Sequence, residues 1–120
     1  REFIVLDAGM NDLIRPTLYE AYHGIRPVLG HNTEKRTYDI VGPICESGDI
    51  FAKNREINAV NKGDIVAIQS AGAYGFAMAS NYNSRPMPPE ILVDGDKVAV
   101  IGKGQTIDEL MARESIPDWL

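Results

Sequence analysis

The chain has 120 residues, 44% of them hydrophobic and 24% charged, with a formal net charge of −5; this is the composition of one ordinary folded domain with a modest core. Lys and Arg are scattered, with no run longer than Lys35-Arg36, so the basic footprint of a nucleic-acid binder is missing. No apolar stretch approaches the roughly 20 residues that a membrane-spanning helix needs, which argues against a membrane partner.

The run Phe3-Ile4-Val5-Leu6 predicts a short buried strand. Asp7 follows at once, so there is no signal-peptide pattern. A strand this close to Arg1 fits a chain that begins inside a domain, and equally a complete domain with a trimmed start. Leu13, Leu18 and Tyr22 recur at helical spacing, and Pro16 suits a first helical turn. A helix is therefore predicted from about Arg15 to Tyr22, ahead of Gly24. Strands are predicted over 26–29 and 37–41, joined by a polar, turn-like stretch at 31–36. Gly42-Pro43 breaks the second strand, a loop follows over 44–49, and Ile50-Phe51 returns to apolar character.

Asn61-Lys62-Gly63-Asp64 is a turn signal before a buried strand at 65–68. Residues 72–80, small and aromatic, read as a short helix or turn. Asp94-Gly95 between Ile91-Leu92-Val93 and Val98-Ala99-Val100-Ile101 predicts a hairpin. Thr106 and Glu109 form a capping box for a last helix, with Ile107, Leu110 and Met111 on one face and an end near Glu114. The balance is mainly β: a β-barrel or sandwich decorated by short helices.

Four clusters carry groups capable of chemistry. Arg15 and Tyr19, at i and i+4, share a helix face, where a guanidinium fork and a phenol can bind a carboxylate. A surface Arg stacked on a Tyr fits the same spacing. In Gly42-Pro43-Ile44-Cys45-Glu46-Ser47-Gly48-Asp49 a thiol and a carboxylate are adjacent in a loop bounded by Gly and Pro. They can serve one ligand, the thiol as proton donor or as nucleophile; an inert Cys beside a solvated Glu fits as well. Ala71-Gly72-Ala73-Tyr74-Gly75 lets backbone approach a ligand that the phenol faces, or is a strand-end turn with one packed aromatic. Asn81-Tyr82-Asn83-Ser84-Arg85-Pro86-Met87-Pro88-Pro89 reads as an ordered surface loop or a plain connector. No phosphate loop, metal-ligand set or Ser/His/Asp constellation is visible. The lone Cys45 forms no internal disulfide, which fits a reducing compartment such as the cytosol.

In this order the motifs resemble diaminopimelate decarboxylase. The resemblance runs from Asp7-Ala8-Gly9-Met10-Asn11-Asp12 through Arg15-Pro16 and Tyr19 to Gly42-Pro43 and Cys45-Glu46-Ser47-Gly48-Asp49. It continues in Gly72-Ala73-Tyr74-Gly75 and in Asn81-Tyr82-Asn83 with Arg85-Pro86. One local difference is Met87, where many relatives have a basic residue. The resemblance implies a pyridoxal 5'-phosphate enzyme of the alanine-racemase-like fold, with an N-terminal (β/α)8 barrel and a C-terminal β-domain. Residues 1–120 would be most of that β-domain, and Arg1 would mark a cut within the protein. The Schiff-base lysine, most phosphate contacts and a strand completing the β-domain would lie in the absent N-terminal part. The 120 residues alone would then be inactive.

The implied reaction is loss of CO2 from the D-configured centre of meso-diaminopimelate, giving L-lysine. Residue by residue, Cys45 matches the proton donor and Glu46 the ligand of the distal amino group. Arg15 and Tyr19 match ligands of the distal carboxylate, and Tyr74 a residue near both cofactor and substrate. The resemblance further implies a homodimer in which Cys45 and Glu46 enter the other subunit's active site. A same-fold ornithine or arginine decarboxylase, with Cys-Asp-Gly in the loop, is the nearest alternative. Glu46 and Arg15 favour diaminopimelate, whose distal end needs an anion and a cation. A non-catalytic β-barrel binding or assembly module is the alternative of another class.

Overall fold

The computed structural model describes residues 1–30 and 34–120. His31, Asn32 and Thr33, half of the predicted turn at 31–36, lie outside the described residues. Two compact units are present, Arg1–Ala79 and Ser80–Leu120.

The first unit contains β1 (Glu2–Val5), α1 (Arg15–Tyr19), β2 (Ile25–Pro27), β3 (Lys35–Val41), β4 (Ile50–Asn58), β5 (Val66–Ile68) and α2 (Gly72–Met78). One sheet has the order β1-β3-β4, and β2 pairs with β5 in another. β1 runs parallel to β3, with Ile4 opposite Ile40, and β4 runs antiparallel to β3. Side chains alternate along a strand, so Ile4 and Leu6 pack on the core while Phe3 and Val5 are exposed. The expected burial of residues 3–6 therefore holds for one face of β1 only. Leu13, Ile25, Tyr38, Ile40, Phe51, Ala52 and Ile57 form the core, with Ile40 fully buried.

The second unit holds a 3-10 turn (Tyr82–Ser84), β6 (Glu90–Asp94), β7 (Lys97–Gly102) and α3 (Ile107–Met111). β6 and β7 form the predicted hairpin, with Asp94 opposite Lys97 and Gly95 at φ 62° in the turn. The turn needs positive φ there, which glycine adopts without strain. The capping box of α3 is complete: Glu109 N–H donates to Thr106 Oγ1 at 3.1 Å, and Thr106 N–H donates to Glu109 Oε2 at 2.8 Å. The loop at 81–89 is ordered by Gln105, whose Oε1 accepts from Asn81 Nδ2 at 2.6 Å and from Met87 N–H at 3.2 Å.

The architecture is mainly β with short helices, as expected, but among the described residues the strands form three separate sheets and not one closed barrel. Several boundaries differ from the sequence pattern, such as β2, which ends at Pro27 and not at Leu29, and three of the differences are larger. α1 stops at Tyr19 because Glu20 turns left-handed, at φ 54°, and returns its N–H to Arg15 O. Tyr22 is thereby freed from the helix, and its ring lies 4.1 Å from the Arg55 guanidinium. α3 ends three residues before the expected Glu114.

The third difference is β4, which continues through the polar run Lys53-Asn54-Arg55-Glu56. Tyr38 faces Arg55 and Ile40 faces Ala52, so Lys53 and Asn54 together oppose Asp39. This is a β-bulge, and Asn54 adopts φ 49° within it. The buried Asp39 carboxylate accepts the Asn54 N–H at 2.8 Å and pairs with Arg1.

The hydrogen bond from Asn54 N–H, with Arg1 adding to it, outweighs burial and holds the Asp39 carboxyl below its ordinary range. A depressed carboxyl stabilises the fold above its unfolded pKa of about 3.9 and loses that contribution as pH falls through the folded value. In denaturant unfolding of the intact protein, Asp39→Asn should therefore cost stability at pH 7, by an amount that shrinks steadily below about pH 4. A cost that is the same at both pH values would contradict this role for Asp39.

Candidate active site

The segment before α1 is set by short-range hydrogen bonds. Asp12 Oδ2 accepts the Gly9 N–H at 2.8 Å, and Asp12 Oδ1 accepts from Asn11 Nδ2 at 3.0 Å. Gly9 O takes the N–H groups of Asp12 and Leu13 at 2.9 and 3.2 Å. Leu13 is anchored in the core. A Cβ on Gly9 would lie 2.6 Å from Ile44 Cγ1, closer than real contacts allow, so this segment packs directly on the Cys45 loop. These ties fix where α1 starts and hence where Arg15 projects.

The Cys45 loop is organised around Asp49, which is only 4% exposed. Asp49 Oδ2 accepts the Ile44 N–H at 2.7 Å, from the residue just before Cys45. Asp49 Oδ1 accepts the Met10 N–H at 2.7 Å, from the segment that leads into α1. Asp49 N–H donates to Glu46 O at 3.0 Å and Asp49 O accepts the Gly42 N–H at 3.0 Å, closing the loop on itself. A second tether runs from Thr17 Oγ1, on α1, to Gly48 O at 2.6 Å. The loop thus has little freedom at its base, while Cys45 and Glu46 at its tip are exposed.

On the other side, α2 packs its buried Gly75 near Leu13 and the Asp12 carbonyl, where a Cβ would meet both at 3.9 Å. This close approach carries Tyr74 to α1: the Arg15 guanidinium lies 5.4 Å from the Tyr74 ring centroid, within cation–π range. Arg15 is half-buried and Tyr74 is 60% exposed. Tyr19 lies one turn from Arg15 at the far end of α1, and is exposed.

Five predicted residues are thereby placed on one unit: Arg15 and Tyr74 in contact, Tyr19 on the Arg15 helix, and Cys45 with Glu46 on a loop tied to that helix through Thr17. Two cavities, of about 660 and 400 Å3, include none of the five in their walls. Tyr19, Cys45, Glu46 and Tyr74 instead lie exposed on the open surface, and Arg15 is half-buried beside them. Residues without an assigned role proved structurally important. Asp49 stands inside the recognised motif, yet a buried carboxylate holding two backbone N–H groups leaves no mark in sequence. Thr17 left none either. Gly9 and Gly42 were the visible clues, since both sit where a side chain could not fit. Among the described residues no cluster of His, Cys, Asp or Glu could hold a metal ion, and no helix is long and apolar enough to cross a membrane.

The sequence pattern of the pyridoxal-dependent decarboxylase C-terminal sheet domain matches residues 1–72, and the chain belongs to that family. More narrowly, it is 56% identical to a diaminopimelate decarboxylase of Zymomonas mobilis over 98% of its own length and 28% of the relative's. It is 52% identical to one of Aquifex aeolicus, over 92% of this chain and 26% of that protein. The structure of diaminopimelate decarboxylase from M. jannaschii in complex with L-lysine superposes with a TM-score of 0.93 at 42% identity, covering 98% of this chain and 27% of that one. The chain thus spans a little over a quarter of the length of these relatives.

A Cβ at Gly42 would run into the Asp49 carboxylate. Each of the two backbone N–H groups held there would cost about 1–3 kcal/mol if left buried and unpaired. Gly42→Ala is therefore expected to destabilise the intact protein by about 1–3 kcal/mol in denaturant unfolding. A change below about 0.5 kcal/mol, the scatter of neutral surface substitutions, would show that Asp49 does not occupy that space.

Proposed function

We propose that this chain is the substrate-reading part of a diaminopimelate decarboxylase, which removes CO2 from meso-diaminopimelate to leave L-lysine. The observation that carries the proposal is the Arg15–Tyr74 pair on the same unit as the Cys45-Glu46 loop. An aromatic face under the guanidinium restricts its swing while leaving its N–H fork open to a carboxylate. The distal end of the substrate is a zwitterion. Arg15, aided by the Tyr19 hydroxyl, binds its carboxylate, and Glu46 binds its ammonium group. A site with both charges rejects substrates lacking either one, because its own charge is left unpaired.

Pyridoxal phosphate fits the donor chemistry present. Tyr74 offers an exposed phenol, and a Cβ at neighbouring Gly72 would meet nothing within 4 Å, so a ring or phosphate can approach closely. Tyr74 would hold one edge of the cofactor, and the lysine that bonds it covalently belongs to the barrel half. When bound, the cofactor supplies the electron sink for decarboxylation. Cys45 then delivers a proton to the carbon that CO2 has left. The fixed loop base keeps the thiol in place for that transfer, which positioning makes efficient.

The surface arrangement of these residues supports a site whose other walls come from elsewhere. We assign those walls to the N-terminal barrel half and to the second subunit of a homodimer, with Arg15, Tyr19 and Tyr74 serving one site and Cys45 with Glu46 its twin. A lone exposed thiol suits a reducing cytosol.

The test is steady-state turnover by the full-length protein. It should decarboxylate meso-diaminopimelate and leave ornithine untouched. Arg15→Lys should raise KM about tenfold or more, as a bidentate fork becomes a point charge. Cys45→Ala should lower kcat by about 100-fold or more with little effect on KM. Turnover of ornithine but not diaminopimelate would overturn the assignment, and an unchanged kcat in Cys45→Ala would remove the proton-donor role.

A further inference from the structure

We propose that Asp49 is a positioning residue for this reaction: its buried carboxylate sets Cys45 and Glu46 in register with the α1 helix that carries Arg15. The role rests on the activity proposed above. Asp49 is 4% exposed and sits between the two segments that hold the candidate residues. One oxygen takes the Met10 N–H at 2.7 Å, five residues before Arg15, and the other takes the Ile44 N–H at 2.7 Å, adjacent to Cys45. Both bonds are short and reach backbone, so they fix chain position and not merely a side chain. Thr17 Oγ1 to Gly48 O, at 2.6 Å, ties the same two segments again. No other residue type reproduces this. Asn presents an N–H2 group to one of the two N–H donors, and Glu is a methylene too long for the space beside Gly42.

The consequence is specific. If Asp49 acts by placing the Cys45 thiol, its loss lowers kcat only while the thiol is there to be placed. Proton transfer degrades steeply with misplacement, by about 100-fold for an ångström. The experiment is a double-substitution cycle in the full-length enzyme with meso-diaminopimelate, combining Asp49→Asn with Cys45→Ala. Asp49→Asn should lower kcat about ten- to a hundredfold in the otherwise unaltered enzyme and by less than about twofold in the Cys45→Ala background. KM should rise in both backgrounds, because Glu46 and Arg15 are displaced in both. Asp39→Asn, a buried carboxylate in the same unit away from the candidate residues, is the stability control. It should lower the unfolding temperature and leave kcat alone.

Equal kcat losses in both backgrounds, no loss on Asp49→Asn, or an equal loss on Asp39→Asn would each overturn the role. If Asp49→Asn does not fold, Thr17→Val cuts the parallel tether. The same cycle should then show a smaller loss, about three- to tenfold, that also vanishes without Cys45; a loss that persists there overturns the role. Absence of diaminopimelate turnover in the unaltered enzyme removes the function and this role with it, and is seen before Asp49 is changed.

Discussion

The Asp49 carboxylate is the joint on which the candidate site depends. It binds backbone N–H groups from Met10 and Ile44, so two stretches distant in sequence become one piece. Everything nearby adapts to it. Gly42 leaves room for it, and Gly9 lets Ile44 close against the segment that Asp49 holds. Burying a carboxylate is costly unless its lone pairs are used, and the two strong bonds offset that cost. The arrangement suits a loop whose tip must be exposed and yet precise: rigidity is placed at the base, and the exposed Cys45 and Glu46 stand at the end.

The same logic of spatial economy governs the Arg15 side. α1 is only five residues long, too short to be stable by itself. Leu13 in the core, the Thr17 bond to Gly48 and the close approach of Gly75 hold it instead. Tyr74 then reaches the guanidinium because α2 is drawn in over a glycine. Small residues in this protein thus decide where the large candidate residues meet.

What sequence revealed, and what it hid, follows from the range of each interaction. The Thr106–Glu109 capping box, the hairpin turn at Gly95 and the Asn61–Asp64 turn are local, and their patterns were readable. β4 was seen only at Ile50-Phe51, because its middle is polar. There the strand passes through a bulge whose residues answer to Asp39 on the neighbouring strand. Arg15 and Tyr19 were paired by helical spacing, whereas the aromatic partner of the guanidinium, Tyr74, comes from a distant helix. The motifs singled out residues that the structure places on one unit. They could not show that Asp49, the last letter of one motif, holds the first motif in place.

A structure of the full-length protein with L-lysine bound tests the central claim most directly, since lysine retains the carboxylate and amino group of the end of diaminopimelate that the proposed reaction leaves intact. The account predicts the lysine carboxylate within hydrogen-bonding reach of the Arg15 fork, about 3 Å, with the guanidinium still over Tyr74 and a Cys45-Glu46 loop at the amino groups. A lysine carboxylate held by other residues, with Arg15 turned to solvent, would contradict it.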